Sequence, residues 1–198
     1  TANNRVADQA YPHYIALEFP SDARARRITQ HLEKLTNASV ADMSAIHMDC
    51  NSLPARAFTD RLSTIRGLTG LTERLRVLLL AWDGTMHPEM VEPTIYSTMR
   101  DELLAQIVRQ LLGKQAWQAL HGFAPGALGY LSLLRGRLVD LMVADDRTLL
   151  PPGNTWPSAM SRALSDAVMK LRRRLGQNTE AWQWGKVHIA KPKHPLSM

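Results

Sequence analysis

The sequence predicts a mostly α fold, a multi-helix segment flanked at both ends by short β-strands. Three observations carry this. After Pro20 the apolar residues recur every three or four positions, the period of a helix with one buried face. Before Pro20, and again after Trp184, short apolar runs read as strands. Lone strands leave backbone donors and acceptors unpaired, so these ends need a sheet from elsewhere. The chain therefore divides into strands with an Asn-Asn motif (1–20), a helical segment (21–185), and a short strand and tail leading back to that sheet (186–198).

Taken in order, residues 2–6 and 14–19 are the first strands, the second ended by Pro20. Ser21 can cap a helix that carries Ile28, Leu32 and Leu35. Ser39 with Asp42 forms a capping signal, with Val40, Met43 and Ile46 on one face. Asn51 or Ser52, with Pro54 in the first turn, opens a helix carrying Leu53, Phe58, Leu62 and Ile65, closed by Gly67. A helix from Thr72 carries Leu75, Leu78, Leu79 and Trp82 until Asp83-Gly84 stops it. Pro93 opens the longest helix, whose ladder of Ile95, Met99, Leu103, Ile107 and Leu111 ends at Gly113. Trp117 and Leu120 mark a short helix before the break at 122–126, and Leu128, Leu131, Leu134, Leu138 and Leu141 mark the next. After the Pro151–Asn154 loop, Met160, Leu164, Val168, Leu171 and Leu175 define the last long helix, ended by Gly176. Val187–Ala190 is the closing extended piece.

Composition narrows the function. Of 24 basic residues eighteen are Arg and six Lys, and the net charge is +6. A basic balance can serve nucleic acid or anionic membrane, but these arginines are spread along the chain. Of the dense runs, Arg172-Arg173-Arg174 falls in a last helical turn, where cations offset the macrodipole. Cys50 is the single cysteine, which excludes an intrachain disulfide. The apolar run from Leu75 to Trp82 is broken by Arg76 and too short to cross a membrane, and residues 1–20 hold no signal-peptide pattern. An opening without Met, in strand-like sequence, is the expectation for a processed or excised piece of a longer protein.

Several chemistries find no support. The histidines lack metal-ligand spacing, and on a helix His47, Asp49 and Cys50 point in different directions. There is no Gly-x-Ser-x-Gly elbow, and Gly122–Gly129 lacks the Lys-Ser/Thr of a phosphate loop. Trp182 and Trp184, near Lys186 and His188, could stack bases, but at a helix end tryptophans serve mainly as packing anchors. A first-residue Thr1 could be a nucleophile with its own α-amine as base, yet a first residue can equally mark a cut, and Thr1 is not assigned. Asn3-Asn4 reads locally as a turn, because Asn tolerates left-handed backbone.

Motifs in sequence order change the weight of that turn. Thr1-Ala-Asn-Asn-Arg-Val6 with Tyr11-Pro12, then Arg24-Ala-Arg-Arg-Ile28, Ser52-Leu-Pro-Ala-Arg56 and Leu80-Ala-Trp-Asp-Gly84, resemble the middle of the large chain of the penicillin amidase (penicillin acylase) family. Trp184-Gly-Lys-Val-His188 followed by His194-Pro195-Leu196 resembles the same family's downstream signature. The resemblance implies that the flanking strands belong to the αββα core of an N-terminal nucleophile hydrolase. It implies a self-cleaving precursor, a serine nucleophile at the start of the β chain and an acyl-enzyme. Substrates would be penicillins, cephalosporins, acyl-homoserine lactones or other N-acyl compounds. By position in the motif, Asn3 is the expected oxyanion-hole donor and Arg24 its support. The partners implied are the α chain and the remainder of the β chain, in the periplasm or outside the cell, with neither nucleic acid nor membrane as a partner.

Departures bound the expectation. The family's Gly-Ser-Asn-Asn-Trp nucleophile motif is absent, so this piece alone is expected to be inactive. Family members often hold a structural calcium, but Tyr14–Ile15, the nearest equivalent stretch, offers no carboxylate, and no cofactor is carried over. The alternative reading is an autonomous all-α interaction module with a basic, Arg-rich surface. Exposed terminal strands could also pair with a second copy, giving a homodimer.

Overall fold

Helix α5 (Glu92–Gly122) and helix α7 (Trp156–Leu175) pack against each other at the centre of the fold. The computed structural model describes residues 2–8, 10–16, 19–122 and 127–190, with backbone alone for 120–122 and 127–132. In chain order come α1 (Ala23–Leu32), α2 (Val40–His47), α3 (Leu53–Asp60) with a 3-10 turn at Arg61–Thr64, and α4 (Gly70–Ala81). Then follow α5, α6 (Ala127–Val143), α7, a 3-10 turn at Thr179–Ala181, and α8 (Trp184–Val187).

The predicted spacing is what builds this core. Ile95, Met99 and Leu103 of α5 are buried against Met160, Ala163, Leu164 and Ala167 of α7, whose alanines let the two helices approach closely. Phe58 and Leu62 close one side and Leu75 and Leu79 another. Burying one such Leu or Phe contributes about 2 kcal/mol. Tyr96 meets Phe58 edge-on at 5.4 Å, a geometry that aromatic quadrupoles favour.

Most local signals act as expected. Ser39 and Asp42 form a full capping box on α2, Ser52 caps α3 with Pro54 in its first turn, and Gly176 ends α7. Gly113 breaks α5 with φ 85°, so the ladder ends there and a second helical stretch bearing buried Trp117 follows. Helix α4 begins two residues before Thr72, after Thr69, and Gly67 lies in the loop that follows the 3-10 turn.

The expected terminal strands differ. Residues 2–6, 14–16 and 19 form no strand; Leu17 and Glu18 lie outside the described residues. Val187 closes the short helix α8 instead of opening a strand, with the His188 N–H donating to the Trp184 carbonyl at 2.9 Å. The physical reason is the absence of a partner: a ladder needs a second strand, and among the described residues no other extended segment lies alongside. Apart from these segments, the single bridge among the described residues joins Asn51 to Thr85.

That bridge is part of a clasp between two loops. The Ser52 N–H donates to the Gly84 carbonyl and the Met86 N–H to the Cys50 carbonyl, both at 2.9 Å. Arg56 donates to the Leu80 carbonyl at 3.1 Å and to that of Trp82, while Trp82 Nε1 donates to the Thr85 carbonyl at 3.0 Å. Only glycine fits at 84, where φ is 90° and a Cβ would lie 3.0 Å from the Ser52 carbonyl oxygen. Gly84→Ala is expected to lower the stability of the chain by about 2 kcal/mol in urea unfolding. Gly67→Ala, with φ 79° and nothing within 4 Å, is expected to cost about half that.

Candidate functional site

At the N-terminus, two asparagines share the work of a turn and a polar contact. Asn4 folds the turn: its Oδ1 accepts from the Ala2 N–H at 3.2 Å and its Nδ2 donates to the Arg5 carbonyl at 3.0 Å. Asn3 sits in left-handed backbone, φ 65°, which Asn tolerates, and this turns its side chain towards α1. There Arg24 Nη2 donates to Asn3 Oδ1 at 2.8 Å. The expected site residues are thus brought together from positions twenty-one apart in sequence. The pairing has a chemical consequence. The Asn3 amide oxygen is held by a guanidinium, and among the described residues none accepts from its Nδ2.

Asn3 and Arg24 lie on one wall of an open depression of about 1640 Å³. Leu133, Leu134, Arg137 and Asp140 of α6 line it too. These were legible in the sequence only as one stretch of a helix. Thr1 lies outside the described residues, as does the His194-Pro195-Leu196 motif.

Helix α1 carries Arg24 but buries little of itself; Ala23 is its one buried residue. Its tie to the body is electrostatic. Arg27 grips Asp49 with both ends of its fork, Nε to Oδ2 at 2.6 Å and Nη2 to Oδ1 at 3.1 Å. His31 Nε2 lies 3.3 Å from the same Oδ2, and the Asn51 N–H donates to Oδ1 at 3.3 Å. The hydrogen bond from Arg27 holds the Asp49 carboxyl below its ordinary value of 3.8, helped by the Asn51 N–H and the Arg27 charge and opposed by desolvation. In the sequence His47, Asp49 and Cys50 are three potential metal ligands close together. The structure instead gives Asp49 to Arg27 and leaves Cys50 exposed.

Other arginines also hold the fold. Arg61 donates from Nη2 to the Met142 and Val143 carbonyls at 2.7 and 2.9 Å, closing the end of α6. Arg135 grips Asp101 at 2.9 and 3.0 Å, and Arg76 grips Glu73 at 2.8 and 2.7 Å. Among the described residues no group of three or more His, Cys, Asp or Glu could hold a metal ion. No helix among them is long and apolar enough to cross a membrane.

The Asn3–Arg24 contact thus joins the Asn-Asn turn to the start of α1. The chain belongs to the penicillin amidase family, whose model matches residues 1–198. It is 31% identical to the penicillin acylase 2 proenzyme of Pseudomonas sp. (strain SE83) over 201 residues, 100% of this chain and 24% of that protein. It is 27% identical to the acyl-homoserine lactone acylase QuiP of Pseudomonas aeruginosa over 210 residues, 95% of this chain and 24% of that protein. A shorter match, 34% over 116 residues, links 56% of the chain to 14% of the QuiP acylase of Pseudomonas fluorescens (strain Pf0-1). The chain thus spans about a quarter of the length of the first and second of these relatives.

The Asp49 linkage has a defined pH signature. Because its folded value is depressed, its contribution is fully present above the ordinary 3.8 and is lost as pH falls through the lower folded value. The stability gap between the natural chain and Asp49→Asn is therefore expected to be present at pH 5. It should shrink towards zero on further acidification, as read by urea midpoints at each pH.

Proposed function

We propose that this chain is the helical β-chain segment of an N-acyl amide hydrolase. In that reading Asn3 donates to the oxyanion, and a serine outside this chain is the nucleophile. The single observation that carries it is the 2.8 Å bond from Arg24 to Asn3 Oδ1. In the reaction, the serine hydroxyl adds to the amide carbonyl carbon as its α-amine takes the proton. The carbonyl oxygen becomes an oxyanion, and Asn3 Nδ2–H donates to it. Arg24 keeps the amide from rotating and adds a positive potential. The tetrahedral centre then collapses, the protonated amine leaves, and water hydrolyses the acyl-enzyme. One donor of this kind is worth about 3–4 kcal/mol in the transition state.

The names of the relatives, a penicillin acylase and an acyl-homoserine lactone acylase, support a substrate among penicillins, cephalosporins, acyl-homoserine lactones or other N-acyl compounds. Exposed apolar residues near the N-terminus, Val6 at 62% and Tyr14 at 81%, support the reading that residues 1–20 join a sheet supplied by the rest of the precursor. Residues 186–198 would lead back to that sheet. The internal contacts of Arg27, Arg61, Arg76 and Arg135 favour this reading over a basic interaction module. Export to the periplasm belongs to the same reading and is tested by the enzyme's release on osmotic shock.

In the mature full-length enzyme, Asn3→Ala is expected to lower kcat for a chromogenic N-acyl amide by about 10²–10³-fold with KM little changed. Arg24→Lys, which keeps the charge but loses the planar fork, should fall between the two. The 198-residue chain alone is expected to release no acyl group. An Asn3→Ala enzyme with natural kcat would refute the assignment.

A further inference from the structure

Helix α1 raises a question of rigidity. An oxyanion donor acts only if its position is fixed before charge develops, and a displacement of about 1 Å can cost about 10²-fold in rate. Asn3 is fixed by Arg24, but Arg24 is exposed, and its helix buries only Ala23. The Arg26–Asp22 pair lies within the same end of the chain, with both partners more than half exposed, and ties α1 to nothing else. Arg27, one turn beyond Arg24 and on the same face, reaches Asp49 with both ends of its fork, and His31, a further turn along, lies 3.3 Å from the same carboxylate.

We propose that Asp49 is a positioning residue for the Asn3–Arg24 pair, acting through Arg27 and the rigid turn of α1 between them. The inference rests on the reading of Asn3 as the oxyanion donor. A bidentate fork fixes orientation as well as distance, so the grip on both Asp49 oxygens sets the rotation of α1 about its axis and thereby the direction of Arg24. Asp49 is itself held from the other side. Its Oδ1 accepts from the Asn51 N–H, and Asn51 Nδ2 donates to the Asp83 carbonyl at 3.0 Å and to Thr85 Oγ1 at 3.3 Å. A path therefore runs by polar contacts from the Gly84 clasp through Asn51 and Asp49 to Arg27, along one turn of α1 to Arg24, and by a hydrogen bond to Asn3. It joins three of the family-like motifs: the Asn-Asn turn, the arginine helix and the Trp-Asp-Gly loop. The carboxylate is the one link in it that needs its charge and both its oxygens.

Two measurements test the path. In the 198-residue chain, Asp49→Asn should raise amide hydrogen exchange in α1 by about tenfold or more while the amides of α5 and α7 keep their natural rates. In the mature full-length enzyme, the same variant should lower kcat by about tenfold with KM within about twofold, and Asp49→Glu should recover part of the loss. On an Asn3→Ala background, Asp49→Asn should cost little more, because the group it positions is gone. Unchanged α1 exchange, or an undiminished Asp49→Asn loss on the Asn3→Ala background, overturns the proposal and leaves the oxyanion reading standing. If Asn3→Ala itself leaves kcat unchanged, the oxyanion reading fails and this proposal with it.

Discussion

The tie between the N-terminal helix and the helical body meets a clasp between the backbones of residues 50–52 and 84–86. Backbone hydrogen bonds of 2.9 Å and the close approach of Gly84 to Ser52 hold two loops that α3 and α4 would otherwise leave apart. On one side the clasp is continuous with the core, through Trp82 and through Arg56 beneath the end of α4. On the other it presents Asp49 to α1. The helical body is thus a rigid support, and what it supports is an otherwise thinly anchored N-terminal segment bearing Asn3 and Arg24.

This division of labour explains where polar chemistry is found. The middle of the α5–α7 interface is filled by Leu, Met and Ala, and polar pairs also join the two helices, Gln106 to Asp166 at 3.0 Å and Lys170 to Glu102. Further charge-assisted pairs lie around it, joining elements distant in sequence: Arg27 to Asp49, Arg61 to the end of α6, Arg135 to Asp101. Each fixes an orientation that apolar packing alone would leave free to slide. Arginine, with its planar fork, suits this use better than lysine, which gives a physical sense to its threefold excess in the composition.

The helical body was legible because its signals are local. Ladders such as Ile95-Met99-Leu103, the Ser39–Asp42 box, the Ser52 cap and the break at Gly113 each lie within a few turns of chain. Asn3 and Arg24 were legible only through motif order, since nothing in a turn and a helix start announces that they meet. Asp49 was not legible as Arg27's partner: a tertiary ion pair spanning 22 residues leaves no periodic trace, and its neighbours His47 and Cys50 suggested a different chemistry. The terminal strands show the converse. Their sequence is strand-like, but a strand is completed by its neighbour, and none lies within the described chain.

The most direct test is a crystal structure of the mature full-length enzyme with a phosphonate or boronate analogue on its nucleophilic serine. The account predicts Asn3 Nδ2 within about 2.7–3.1 Å of the analogue's oxyanion, with Arg24 still bonded to Asn3 Oδ1. An oxyanion held by other donors, with the Asn3 amide turned away, would contradict it.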